Sequence, residues 1–255
     1  MNGRFSGRVA LVAGGTGGLG RSVSLAFLGE GAEVVVTHRG NAELDRLRSE
    51  AGPDGARLHA ERTDVTDEAA VRALVDGIFA SHGRLDFLVN AVGGYAGGSK
   101  LWETEAGVLD RMLDLNLRSA LLPTQAAVRA MIEGGRGGRV LHISSVRGQL
   151  GIDNGFSAYV AAKGALDALT RQQATEWAKY DITVNAISPT FVRTPQVEDL
   201  LADDGFREGL YKRIPLGRIA ETDDVVGSVL LLCSDASAFI TGQVLTLDGG
   251  LTACQ

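Results

Sequence analysis

Cysteine is nearly missing from this chain: 255 residues contain only Cys233 and Cys254. Two thiols so placed make neither a metal-ligand spacing nor the dense framework of a disulfide-stapled secreted domain. Long apolar runs are missing too, since none approaches the roughly 20 residues that span a bilayer. Met1 to Arg8 carries Arg4 and Arg8 with no apolar stretch behind them, so no secretory leader is expected there. There is no basic cluster, and the net charge is −6; nucleic acid and anionic membranes are therefore poor partners. The four histidines (His38, His59, His82, His142) show no ligand spacing among themselves, so no metal site is expected. The expected location is the reducing cytosol, as a cytoplasmic protein. Neither an internal repeat nor a linker divides the chain.

What is abundant is glycine, 34 residues, set between periodic segments, and 45% of the chain is hydrophobic. That suffices for the core of one α/β domain over residues 1–255. Short apolar runs read as strands: Arg8–Ala13, Ala32–Thr37, Leu58–Arg62, Leu85–Asn90, Gly138–Ile143, Thr183–Ser188 (broken by Pro189) and Phe239–Asp248. Helical patterns lie between them. Asp67 is placed to cap a helix from about Glu68 to Ser81, and Thr222 to cap the last helix. Glu105–Ile132 reads as one long amphipathic segment with Leu109, Met112, Leu113, Leu117, Leu121 and Leu122 on a stripe. Pro195–Ile214 reads as short helices forming a substrate lid within 190–215. Strands alternating with helices imply a Rossmann-like, doubly wound, seven-stranded parallel sheet with helices on both faces.

Three stretches carry chemistry. The first strand runs into Gly14-Gly15-Thr16-Gly17-Gly18-Leu19-Gly20 and then a helix. In that context, bare backbone N–H groups and a helix N-terminus can face a pyrophosphate. The second strand ends in His38-Arg39, with no carboxylate before Glu43. Basic residues there suit a 2′-phosphate, which favours NADP(H) and leaves NAD(H) as the alternative. Tyr159 and Lys163 stand at i and i+4, so a phenol and an ammonium can point at one spot. A nearby cation lowers a phenol's pKa, as a general acid/base for carbonyl–alcohol exchange requires. Asn116 is out of place in the middle of a helix, because a buried amide needs partners. Ser144-Ser145 closes the fifth strand, where a serine ordinarily caps or turns.

Read together, these stretches resemble the short-chain dehydrogenase/reductase family over Val9–Gly250. The matching features are Gly14, Gly18 and Gly20, then Asp64, Asn90, Asn116, Ser145 and the Tyr159/Lys163 pair. Asn185-Ala186-Ile187-Ser188-Pro189 and the closing stretch Ile240–Gly250 match as well. The resemblance implies hydride transfer between a nicotinamide and a carbonyl or alcohol carbon. It implies catalytic roles for Asn116 (fixing a relay water), Ser145 (polarising the carbonyl), Tyr159 (proton donor or base) and Lys163 (holding the ribose and depressing the Tyr159 pKa). Ser145 is preferred over Ser144 because Ser145-Val146-Arg147-Gly148 aligns with the family's segment. Cofactor contacts are implied for Gly14, Thr16, Gly18, Leu19, Gly20, His38, Arg39, Asp64, Val65, Asn90, Gly93, Tyr159, Lys163, Pro189, Val192 and Thr194.

Three positions depart from the family pattern. Ala13 replaces a threonine, so one strand-to-strand hydrogen bond is expected to be missing. Asn90-Ala91-Val92-Gly93 stands for Asn-Asn-Ala-Gly, and Thr190 replaces a glycine. The expected function is an NADP-favouring oxidoreductase acting on a small carbonyl compound or secondary alcohol. A 3-oxoacyl-carrier-protein reductase or a sugar or polyol dehydrogenase remains open. Arg207, Lys212 and Arg213 would suit an acidic carrier protein; Glu198, Asp199, Asp203 and Asp204 oppose it. A non-catalytic NADP-binding sensor or scaffold is the rival of another class, and a sugar-nucleotide epimerase a third reading. The resemblance also implies a homo-oligomer, a tetramer built through the helices carrying Asn116 and Tyr159 and the last strand. Tyr95, Trp102, Gln149, Leu150, Phe156, Thr190 and Phe191 are candidate pocket residues.

Overall fold

A computed structural model describes residues 3–153 and 155–254; residues 1, 2, 154 and 255 of the expected domain lie outside it. Seven parallel strands form one sheet in the order β3-β2-β1-β4-β5-β6-β7. They are β1 (Val9–Ala13), β2 (Glu33–His38), β3 (Leu58–Arg62), β4 (Phe87–Asn90), β5 (Gly138–Ile143), β6 (Ile182–Pro189) and β7 (Val244–Leu247). The helices are α1 (Gly18–Gly29), α2 (Asn41–Ala51), α3 (Glu68–His82), α4 (Ala106–Leu113), α5 (Ser119–Gly134), α6 (Ser157–Trp177), α7 (Glu198–Leu201), α8 (Asp204–Arg213) and α9 (Thr222–Cys233). None of the helices among the described residues is long and apolar enough to cross a membrane.

The strands are apolar throughout because both faces are covered. Alternation divides β1 between two cores: Ala10 and Val12 pack with Phe27, Val225 and Val229 of α1 and α9. Val9 and Leu11 pack with Val75, Ile78, Val128 and Met131 of α3 and α5. Phe5, Phe27 and Phe87 meet with centroids 4.8–5.4 Å apart, so Phe27→Ala should cost about 3–5 kcal/mol.

Several boundaries differ from those read in the sequence, each for a local reason. The helix α2 has no counterpart in the sequence reading. The long segment expected over Glu105–Ile132 is two helices joined by a π-helical turn, Asp114–Arg118. There the Asn116 side chain donates to the Met112 carbonyl four residues back, at 3.1 Å, competing with the backbone ladder. The expected leucine stripe is divided accordingly: Met112 and Leu122 are buried, while Leu109 and Leu121 are exposed. The last strand is shorter than Phe239–Asp248. Before it, Asn185 brackets the chain, donating to the Ile240 carbonyl at 2.8 Å and accepting from the Gln243 N–H at 3.0 Å. Side-chain bonds thus replace the strand ladder, and Phe239 is fully exposed. Pro189 does not break β6 but ends it, paired with Leu247, where no further donor is required.

Asp67 caps α3 through the N–H groups of Ala69 and Ala70. Thr222 does not cap α9: Glu221 does, in a reciprocal capping box with Asp224. The stretch 195–213 forms short helices as expected, held by a small cluster of Leu201, Leu210, Ile214 and Ile219.

Candidate active site

Sheet order reverses between β1 and β4, and in open α/β sheets a crevice forms at the carboxyl ends of strands at such a point. The glycine turn lies there. Gly14 has φ 75°, and a Cβ on it would stand 2.8 Å from Val92. A Cβ on Gly20 would stand 2.2 Å from the Gly14 carbonyl, so α1 can approach β1 this closely only with glycine. No side chain caps α1 at Gly17, so its first N–H groups are open to an anion. The missing threonine at position 13 has a substitute: the Gly14 N–H donates to the Thr37 hydroxyl of β2 at 2.8 Å. Thr194 rests against Gly18, its Cβ 3.3 Å from where a Gly18 Cβ would be. Thr16 and Val192 are buried beside the turn and Leu19 is half-buried. These bare glycines and uncapped amides form a cradle that fits a dinucleotide pyrophosphate.

At the end of β2, His38 is buried and its Nδ1 lies 3.2 Å from the Gly40 carbonyl, so its ring serves the turn. Arg39 is exposed and close enough to Asp64 to help hold that carboxyl below its usual range. The larger causes there are hydrogen bonds from the Thr66 hydroxyl and N–H. Val65 packs with Ala13, Val71 and Leu122. Arg39 and Asp64 thus share the outer end of the crevice, where an adenosine would lie.

Asn90 knits the sheet behind the site. Its Nδ2 donates to the Thr124 hydroxyl at 2.8 Å and faces His142 Nδ1 at 3.1 Å. His142 Nε2 meets Gln173 Oε1 at 3.0 Å. Burial lowers the His142 pKa to about 4, so the ring is neutral, accepting at Nδ1 and donating at Nε2. Asn90 Oδ1 is buried without a partner among the described residues.

Ser145, Tyr159 and Lys163 converge where β5 meets α6. Ser144 and Ser145 point apart: Ser144 donates to the buried Asp167 carboxylate at 2.5 Å, while Ser145 faces the Tyr159 phenol. Ser145 Oγ accepts the Arg147 N–H at 3.2 Å, leaving its hydroxyl proton to donate toward the phenol. Lys163 is buried; its ammonium donates to the Ile143 carbonyl at 2.9 Å and lies 5.8 Å from the Tyr159 ring centroid. A Cβ on Gly93 would stand 2.9 Å from Asn116 Oδ1 and 3.1 Å from Lys163 Nζ, so Asn116 and Lys163 crowd the same bare backbone. Besides its bond to Met112, Asn116 holds both backbone groups of Gly94. Pro189 closes the neighbouring strand.

One electrostatic expectation fails. Tyr159 is not lowered by Lys163: burial raises its pKa, and the groups opposing that rise are the Ser145 hydroxyl and Arg147. Burial also brings Lys163 down to about 8, against the attraction of Asp167. Arg147 is a site residue that sequence reasoning missed. A charge between Val146 and Gly148, in a segment of otherwise small or apolar residues, was the available signal.

Among the candidate pocket residues, Tyr95 stacks on Phe156 at 4.1 Å, and each ring meets Tyr159 edge-on at 6.2 Å. Lys100 and Asp153 pair across the two loops bearing these rings. Trp102 points into solvent, 80% exposed. The histidines, unspaced along the chain, are not all separate in space. Glu33, His59 and His82 bring donor atoms within 4.8 Å of one another. They sit at the amino end of β2, on β3 and at the end of α3, away from this crevice.

The family model described as Enoyl-(Acyl carrier protein) reductase matches residues 13–252. An uncharacterized oxidoreductase of Mycobacterium tuberculosis is 40% identical over 248 residues, covering 96% of this chain and 91% of that protein. A short-chain type dehydrogenase/reductase from Mycobacterium ulcerans superposes with a TM-score of 0.93 at 31% identity, covering 98% of this chain and 92% of that one. A gluconate 5-dehydrogenase from Burkholderia cenocepacia, solved with NADP and tartrate, superposes at 0.91 with 32% identity, covering 99% and 98%. The chain belongs to the short-chain dehydrogenase/reductase family, NAD(P)-binding oxidoreductases acting on alcohol and carbonyl groups.

Proposed function

We propose that this chain interconverts a small carbonyl compound and its secondary alcohol by hydride transfer, with NADP(H) favoured over NAD(H). The observation that carries the reading is the Tyr159 phenol facing the Ser145 hydroxyl, with Lys163 Nζ 5.8 Å from its ring and beside the bare Gly93 backbone. The nicotinamide, when bound, supplies or accepts the hydride. The protein's own groups handle the proton and the oxygen. Because burial keeps Tyr159 protonated at neutral pH, the phenol is a proton donor to a developing alkoxide. The Ser145 hydroxyl, its oxygen already held by the Arg147 N–H, donates to the same oxygen. Lys163 uses one N–H on Ile143, leaving two for ribose hydroxyls. Asn116 positions the loop after β4, beside Lys163, and through it the water relay that the family pattern implies.

Support for NADP(H) is the exposed Arg39 at the end of β2, with no carboxylate in the equivalent place. The solved relative that holds NADP fits this preference. The same relative's name favours a sugar-acid or polyol substrate over a carrier-bound acyl chain. So does the lid, where Arg207 is already paired with Asp204 at 2.6 Å and therefore poorly placed to serve an acidic carrier. Exposed Leu109 and Leu121 on α4 and α5, and Leu231 and Leu245 on α9 and β7, fit a homotetramer; a one-chain mass by light scattering would remove that assembly. Two unpaired thiols, Cys233 and Cys254, fit the cytoplasm, and a mature protein recovered from an oxidising compartment would rule that location out.

The decisive experiment is NADPH consumption against a ketone panel with Tyr159→Phe. Loss of about 10²–10⁴ in kcat is expected for removal of a general acid. Unchanged turnover would end the acid/base assignment, and NADP binding without turnover on any ketone would favour a sensor.

A further inference from the structure

The groups already described account for a proton, a carbonyl oxygen and a cofactor. They do not account for Arg147. It is 8% exposed, on the short turn Val146–Gly148 immediately after Ser145. Among the described residues its side chain makes one hydrogen bond, from Nη1 to the Gly151 carbonyl at 3.2 Å. The charged or titratable groups acting on it are Arg213 and Tyr159, and no carboxylate is among them. A buried guanidinium ordinarily has an acidic partner, because burial without one is expensive.

Nor is Arg213 neutralised. Other arginines of the lid and the segments flanking it have carboxylates: Arg193 with Glu221 at 3.0 Å, Arg207 with Asp204 at 2.6 Å and Arg218 with Asp224 at 2.5 Å. Arg213, the last residue of α8, has no ion pair among the described residues, and its charge is felt at Arg147. Arg147 is thus buried beside the Tyr159 phenol without a carboxylate among the described residues, and the nearest lid cation acting on it, Arg213, is exposed at the end of α8. An anion at Arg147 would relieve its burial, the exposed Arg213 side chain on the lid could reach the same charge, and guanidinium forks suit the planar oxygens of a carboxylate or the oxygens of a phosphate. The stacked rings of Tyr95 and Phe156 give the phenol an aromatic flank.

We infer that the substrate carries an anionic group, carboxylate or phosphate, which Arg147 and Arg213 bind while its carbonyl meets Tyr159 and Ser145. This rests on the carbonyl–alcohol reading above and names the substrate class within it. Arg147 is then a specificity-determining residue, and the lid closes on a charge rather than only on a shape.

The test compares matched ketones with the NADPH-loaded enzyme: acetoacetate against its methyl ester, 4-oxopentanoate against its methyl ester, and dihydroxyacetone phosphate against dihydroxyacetone. The wild type should favour at least one anionic member by about tenfold or more in kcat/KM. Arg147→Met should bring that anionic-to-neutral ratio down to about one, mainly through KM, and Arg213→Met should lower it by about threefold. Any loss common to both members of a pair drops out of the ratio. Preference for carboxylates or for the phosphate tells which anion the site takes. A wild type indifferent to charge overturns the inference. So does an unchanged ratio in Arg147→Met with a displaced pH profile, which would mean that Arg147 acts only through Tyr159.

A readout free of turnover is the thermal midpoint of the NADP-loaded protein with 4-oxopentanoate or inorganic phosphate. A rise in the wild type that is absent from Arg213→Met supports the site, even if Arg147→Met does not fold; no rise with either probe overturns it. Tyr159→Phe, run alongside, keeps the two readings apart. Turnover that survives it defeats the acid/base assignment, whereas the anionic-to-neutral ratio depends on Arg147.

Discussion

Asn116 grips Gly94 at both ends: its Nδ2 donates to the Gly94 carbonyl and its Oδ1 accepts the Gly94 N–H, each at 2.9 Å. A side-chain amide here imitates a neighbouring strand, pinning the loop after β4 to the π-helical turn that presents it. Asn116→Ala leaves both Gly94 groups without their partner. A loss of about 1–3 kcal/mol in urea unfolding is expected, with weaker NADPH binding by fluorescence titration. A variant as stable as the wild type and equally tight for NADPH would show that the grip is incidental.

Lys163 is held at a cost to folding. Its folded pKa of about 8 lies below the ordinary 10.5, so the penalty is fully present below pH 8 and is relieved as pH rises toward 10.5. That displacement corresponds to about 3 kcal/mol. Lys163→Met should therefore be inactive yet more stable at pH 7, by about 1–3 kcal/mol after the lost bond to Ile143 is counted. The gap should shrink at alkaline pH. Chemical denaturation at pH 7 and pH 10 measures it, and a variant less stable than the wild type at pH 7 contradicts it.

Arg39 is the exposed cation at the end of β2, whereas the His38 ring is committed to Gly40. Arg39→Ala should raise the Kd for NADPH by about tenfold or more and leave NADH nearly unaffected, as expected when a charged hydrogen bond is removed. Equal weakening of both cofactors would mean that the 2′-phosphate is not held there.

His142 sets a limit on acid stability. Its folded pKa of about 4 lies below the ordinary 6.5, so its contribution is complete above pH 6.5 and lost as pH falls toward 4. The loss amounts to about 3 kcal/mol. His142→Gln should flatten that part of the stability profile while lowering stability at pH 7 through the broken Asn90–His142–Gln173 chain. An equally steep decline in the variant would assign the acid sensitivity to other groups.

Much of this was legible in the sequence because both rules involved are local. A buried parallel strand must be apolar at every position, and a dinucleotide turn must be glycine where Gly14 and Gly20 approach other backbone. What escaped depended on partners distant in the chain. The bracket of Asn185 on Ile240 and Gln243 shortens β7 from 55 and 58 residues away. The capping box at Glu221 is the local exception: it defeated Thr222 because two carboxylates three residues apart, acting reciprocally, satisfy more backbone than one hydroxyl. Arg147 escaped because its meaning lies in what surrounds it, a phenol and a second arginine. The replacement of the position-13 threonine bond by Thr37 is likewise a relation between strands that spacing along one strand does not reveal.

Neighbouring residues at the end of a strand face opposite ways, and the adjacent serines after β5 show what that costs in tolerance to change. One hydroxyl anchors Asp167 in the interior and the other faces the Tyr159 phenol, so they are not interchangeable copies. Inserting or deleting a single residue between Ile143 and Ser145 would exchange inside for outside, leaving the interior carboxylate bare and the phenol alone. The length of this two-residue step is therefore fixed by the alternation of the strand that precedes it.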